Sequence, residues 1–178
     1  MPGPSPAPRR SPPMRLIALL PLALSACAQS APPPSPTSTA TLDPIAYFTG
    51  TAEGRATLHK IMGKPEPILV HSAGRSDGKG GVFLDQRIEE PGKPARVRSW
   101  HLVPAGPGRF TGTLTDANGP VVASVAGPRL DIAYPMKGGL KATQVLTLRP
   151  DGKTLDNELT VTKFGLQLAR VDEVIVKG

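Results

Sequence analysis

One cysteine and seven aromatic residues, a single tryptophan among them, are all that 178 residues carry of those types. A lone thiol excludes a disulfide framework and any cysteine-rich metal module. No window keeps apolar residues at i, i+3, i+4 and i+7 over three turns, so a helical bundle is excluded. No apolar run approaches the ~20 residues that span a bilayer. Blocks of like charge are missing too, which argues against nucleic acid as a partner. The length allows one ordinary domain. Residues 1–42 have no acidic and no aromatic side chain, yet hold 11 of the 22 prolines. The chain therefore joins two unlike segments.

From Met14 the first segment reads MRLIALLPLALSAC. Arg15 precedes an apolar run from Leu16 to Leu24, and the small residues Ser25 and Ala26 follow. This is the pattern of a secretory signal. Leu24-Ser25-Ala26-Cys27 resembles the lipobox of bacterial lipoproteins, where the cysteine thiol receives a diacylglycerol and becomes the new N-terminus. The resemblance implies a signal peptide over residues 1–26 and a membrane anchor on Cys27. It further implies a Gram-negative envelope address, with Ala28 after the lipid site resembling lipoproteins sorted to the outer membrane, facing the periplasm. Met14 reads as the better start. Arg9-Arg10 lacks the hydrophobic residues of a twin-arginine signal. Loss of Arg9, Arg10 and Arg15 with the leader leaves 18 basic and 14 acidic residues, a net charge of +4.

Residues 27–42 form the second part, small, Pro/Ser/Thr-rich and uncharged. Such a stretch cannot bury enough surface to fold and is expected to be an extended tether. In a polyproline-like form it reaches up to ~45 Å.

The domain, residues 43–178, alternates with a period of two. Candidate strands are Tyr47–Ile61, Pro67–Ala73, Gly81–Glu89, Ala95–Val103, Gly108–Leu114, Val121–Val125, Arg129–Tyr134, Lys141–Leu148, Leu155–Thr162 and Gln167–Val176. The clearest stripes are Val82/Leu84/Gln86/Ile88, Ala142/Gln144/Leu146/Leu148 and Leu155/Asn157/Leu159/Val161. Asp77-Gly78, Asn118-Gly119 and Asp151-Gly152 mark tight turns between strands. Eight to ten antiparallel strands must hide their edges, and an up-and-down barrel closed on itself does so. A two-sheet sandwich is the alternative. A barrel of this size is filled by side chains or holds one small ligand.

Asp43-Pro-Ile-Ala-Tyr47-Phe48-Thr-Gly50, then Leu84-Asp85-Gln86, Arg98-x-Trp100-x-Leu102, Phe110-x-Gly112 and Thr162-Lys163-Phe164-Gly165 carry a family resemblance. Over nearly all of residues 43–178 the chain resembles an uncharacterised bacterial lipoprotein family, domain-of-unknown-function family 3833. The resemblance implies an all-β, lipocalin-like (calycin) barrel on a lipid anchor, and brings no catalytic residue with it. Lipocalins proper open with Gly-x-Trp, where this chain has Phe48-x-Gly50.

Chemistry is sparse. His59, His71 and His101 lack metal-ligand spacing, and no Gly-x-Ser-x-Gly elbow or phosphate loop occurs. No cofactor or metal is expected, and the domain reads as non-catalytic. A period of two puts Arg96, Arg98, Trp100 and Leu102 on one face, where Trp100 plugs a barrel end or lines a pocket mouth beside Arg98. Trp100, Arg98 and Tyr134 are the candidate contacts for a small apolar ligand such as a fatty acyl lipid. An envelope-lipid enzyme built from His59, His71, Asp85 or Tyr134, and an assembly lipoprotein with a protein partner, are the competing readings. The oligomeric state is left open.

Overall fold

Asp43 starts the first helix by side-chain chemistry. In the computed structural model, which describes residues 40–178 together with Gly3, its carboxylate accepts from Ile45 N at 2.9 Å and Ala46 N at 3.1 Å. Pro44 sits at the first helical position, where its missing N–H costs nothing, and a short helix α1 forms over Pro44–Phe48. The sequence expectation of a strand from Tyr47 is corrected here. The cap wins over the alternation at Tyr47 and Phe48, and the strand begins only at Gly50. The expected signal peptide apart from Gly3, Cys27 and the expected tether as far as residue 39 lie outside the described residues.

Ten strands follow: β1 (Gly50–Lys60), β2 (Glu66–Ser76), β3 (Val82–Glu89), β4 (Arg96–Pro104), β5 (Arg109–Leu114), β6 (Val121–Ala126), β7 (Arg129–Met136), β8 (Leu140–Leu148), β9 (Thr154–Lys163) and β10 (Leu166–Lys177). Each pairs antiparallel with its sequence neighbours, and β1 pairs with β10 to close the barrel. All ten expected strands are present within a few residues. The turn signals hold as well: Gly78, Gly119 and Gly152 all adopt positive φ, which the β-carbon of other residues disfavours.

Inward residues alternate with exposed ones, as in β3, where Val82, Leu84, Gln86 and Ile88 are buried and Asp85 and Arg87 are exposed. Leu130, Leu146 and Leu155 are at most 1 % exposed and form the middle of the core. Helix α1 covers one end. Tyr47 OH donates to Lys153 O at 2.8 Å and Ile175 O at 3.2 Å, and burial pushes this phenol up to about 12. Lys177 Nζ donates to the carbonyls of Ala46, Tyr47 and Thr49, which the short helix leaves unpaired. Gly74 lets β2 pass under this lid, since a Cβ there would lie 1.7 Å from Phe48 O. At the opposite, hairpin end the lumen is less filled. Leu159 and Val161 follow the inward parity of Leu155 but are only half-buried.

Candidate functional site

The apolar stripes that build the lumen are interrupted at one level by polar residues. Gln86 stands between Leu84 and Ile88, Gln144 between Ala142 and Leu146, Asn157 between Leu155 and Leu159, and Glu173 between Val171 and Ile175. All four side chains are buried, as is Ser72 on β2. Together they form a polar belt inside an apolar barrel.

One half of the belt is fully bonded. Gln86 Oε1 accepts from Trp100 Nε1 and from Arg98 Nε, both at 2.8 Å. Its amide Nε2 donates to Ser72 Oγ at 3.1 Å. The Arg98 guanidinium carbon lies 5.4 Å from the Trp100 ring centre, a cation–π distance. Tyr134 packs edge-on against Trp100, with ring centres 5.8 Å apart, and burial raises its phenol. Arg98, Trp100 and Tyr134, singled out from sequence, therefore meet in the lumen.

The other half is not. Asn157 Nδ2 donates to Glu173 Oε2 at 2.7 Å, but Glu173 Oε1, Gln144 Oε1 and Asn157 Oδ1 have no partner. A buried acceptor without a donor costs about 1–3 kcal/mol, so three at one level call for an explanation. Burial holds the Glu173 carboxyl above its usual range, against the pull of the Asn157 hydrogen bond and the Arg98 charge.

Two small cavities flank the belt. One of about 30 Å³ lies toward α1 and touches Phe48, Leu84, Trp100, Leu146 and Ile175. The second, about 60 Å³, lies toward the hairpin end and touches Ala56, Ile68, Ile88, Leu159 and Val171. Glu173 lines both. Each has room for water-sized occupants, well below the ~300–1,000 Å³ of a preformed small-molecule site.

The four residues of the alternative catalytic cluster do not all converge, although His71 and Asp85 border one groove on the outer wall. His71 and Asp85 are exposed on the outer wall, and Asp85 accepts from Ser99 Oγ at 2.5 Å. His59 is exposed near the hairpin end, 3.4 Å from Asp172. His101 pairs with Asp77 at 2.9 Å. Only Tyr134 is in the lumen. Among the described residues no three His, Cys, Asp or Glu side chains gather as a metal site would require.

The belt itself was missed as a site in the sequence. Its signal was there, in amides standing within three otherwise apolar stripes. Glu173 was missed altogether, since nothing in β10 tells which of its faces looks inward.

A closed, all-antiparallel barrel of ten strands with a polar belt in its lumen is the class of molecule these observations define. The chain belongs to the family described as "Protein of unknown function (DUF3833)", whose model matches residues 21–177. Among solved structures it is similar to the S-type phycobiliprotein lyase CPES of Guillardia theta, with a TM-score of 0.59 and 7% identity, over 75% of this chain and 90% of that one. It is also similar to a DUF3598-family protein of unknown function from Nostoc punctiforme, with a TM-score of 0.62 and 9% identity. That match covers 82% of this chain and 53% of the other, so the chain spans about half of that protein's length. At such identities the likeness is one of fold. No curated protein gives a significant match.

Proposed function

We propose that the protein is a lipid-anchored lipoprotein of the Gram-negative envelope, held by Cys27 on the outer membrane's periplasmic face. Its lipocalin-like barrel binds or shuttles a small, mainly apolar ligand with a polar head, such as a fatty acid, without catalysis. The observation that carries this reading is the set of three orphaned acceptors, Gln144 Oε1, Asn157 Oδ1 and Glu173 Oε1, between a mainly apolar cavity and a mixed one that Arg96 and Arg98 also line. A head bearing an O–H or N–H, such as a protonated carboxylic acid, donates to one of them, and Arg98 lines the second cavity for an acidic head. Glu173 borders both cavities, so a shift of its side chain is the movement that would join them into one channel for an acyl chain. In this reading the narrow cavities are a closed form that the ligand opens.

Native mass spectrometry and lipid extraction of protein purified from its own membranes test the reading. A stoichiometric small molecule is expected, lost in a Glu173→Leu/Gln144→Leu double variant. A barrel free of any ligand, with exogenous fatty acids failing to bind, overturns it. The anchor is tested apart: Cys27→Ser should abolish lipidation, and processing of the native chain should stop under globomycin. Processing that continues under globomycin overturns the anchor.

A further inference from the structure

Three of the five connections at the hairpin end are neighbours around the rim. They are β7–β8, β9–β10 and β1–β2, adjacent because β8 pairs with β9 and β10 with β1. The four most exposed large apolar side chains among the described residues lie on two of them: Phe164 at 91 %, Met62 at 82 %, Ile61 at 71 % and Leu166 at 67 %. Ile61 N–H donates to Leu168 O at 3.0 Å, which ties the two tips into one patch. Among the described residues Phe164 is also the one non-glycine with positive φ, at 50°. A bulky side chain there is strained, and its ring packs into no core.

The surroundings are cationic. Lys60, Lys64, Lys137, Lys141 and Lys163 stand on the three connections or at their strand ends. Lys163 Nζ lies 5.5 Å from the Phe164 ring centre. The single acid of these tips, Glu66, is already held by Lys60 at 2.5 Å and Lys93 at 3.3 Å. No ion pair among the described residues holds Lys64, Lys137, Lys141 or Lys163. The connections at the α1 end bear no comparable apolar tips. Residues 40–42 join at that other end, where Leu42 N–H donates to Gly127 O at 2.8 Å.

The geometry points to the hairpin end as a docking surface for an anionic lipid leaflet, with Phe164, Met62, Ile61 and Leu166 entering the headgroup region and the lysines meeting phosphates. Apolar knobs ringed by lysine ammoniums match a surface that is apolar inside and negative outside. Lysine stems extend along such a boundary while keeping the charge in water. The tips project singly, not as a groove, and so offer no cleft for a peptide or helix. This contact is distinct from any N-terminal attachment and does not depend on what fills the lumen.

The test replaces Phe164→Trp in the full chain and uses phosphatidylcholine vesicles with brominated acyl chains, with and without phosphatidylglycerol. The native chain, whose sole indole is the buried Trp100, gives the background. The indole introduced at position 164 should shift to the blue and lose at least about half its emission on anionic vesicles. High salt, or Lys64→Glu with Lys163→Glu, should reverse this. An indole at 164 that stays red-shifted and unquenched while the protein sediments with vesicles overturns the docking surface and leaves attachment by the N-terminal segment alone. Protection that appears without lipid and grows with protein concentration assigns the patch to a second copy of the chain, and equally overturns it. A change confined to Trp100 in the native chain reports the lumen, and with position 164 unmoved it too overturns the docking.

Discussion

Gly54 and Glu173 occupy one another's space at the seam where β1 meets β10. A Cβ on residue 54 would lie 1.9 Å from Glu173 Oε1, so the buried carboxylate keeps its position only because residue 54 has no side chain. Gly54→Ala should therefore cost about 1–3 kcal/mol through overpacking. In a Glu173→Ala background the same change should cost much less. Urea unfolding of the four chains gives the coupling, and equal costs in both backgrounds would show that the two residues do not collide.

Glu173 also sets a pH dependence. Its carboxyl is held above the usual value of 4.5 by burial, so the folded state binds this proton more tightly than the unfolded chain. The stability it adds is complete below the ordinary carboxylate range and is lost as pH rises through the raised folded value. Glu173→Gln should remove that slope, making the variant more stable than the native chain at neutral pH, with the gap closing on acidification. Thermal midpoints between about pH 4 and pH 8 check the sign. Parallel curves for the two proteins would contradict it.

Gln86 is the single acceptor for two donors, Arg98 and Trp100. Gln86→Leu leaves both unpaired inside the barrel and should cost about 1–3 kcal/mol or more. Trp100 is 8 % exposed, so its emission should be blue-shifted in the native chain. Loss of the indole hydrogen bond should move that emission without unfolding the protein. A variant with native stability and an unchanged spectrum would remove Gln86 from its organising role.

Core depth grades the leucines. Leu146→Ala, at 1 % exposure, should cost about 2–5 kcal/mol. Leu159→Ala should cost distinctly less, because its site is already half open toward the hairpin end. Chemical denaturation of the pair measures the difference. Equal losses would mean that the lumen is as tightly filled at Leu159 as at Leu146.

The strands were legible because each hairpin announces itself locally, in alternation over five to ten residues and in turn pairs such as Asp151-Gly152. Trp100 and Arg98 were legible as partners for the same reason, since two residues apart on one strand means one face. Tyr47 and Phe48 were misread because a side-chain cap from Asp43 outweighs a weak period of two. The belt needed more than any one strand can tell. Gln86, Gln144, Asn157 and Glu173 come from β3, β8, β9 and β10, and their meeting depends on registers around the barrel. Leu159 and Val161 faced the lumen as their stripe required, but how open an end is depends on the loops above it.

Closure by β1 and β10 has a consequence for how the chain comes into being. Nine of the ten strand pairings join sequence neighbours and can zip as soon as each hairpin exists. The tenth joins the first strand to the last across more than a hundred residues, the kind of long loop that forms slowly. A chain emerging N-terminus first from a ribosome or a translocation pore thus carries β1 with a free edge until residues 169–177 arrive. An unpaired edge is where strands of other chains add on. Synthesis from the N-terminus therefore leaves the nascent protein vulnerable longest at the seam that later holds Gly54 against Glu173.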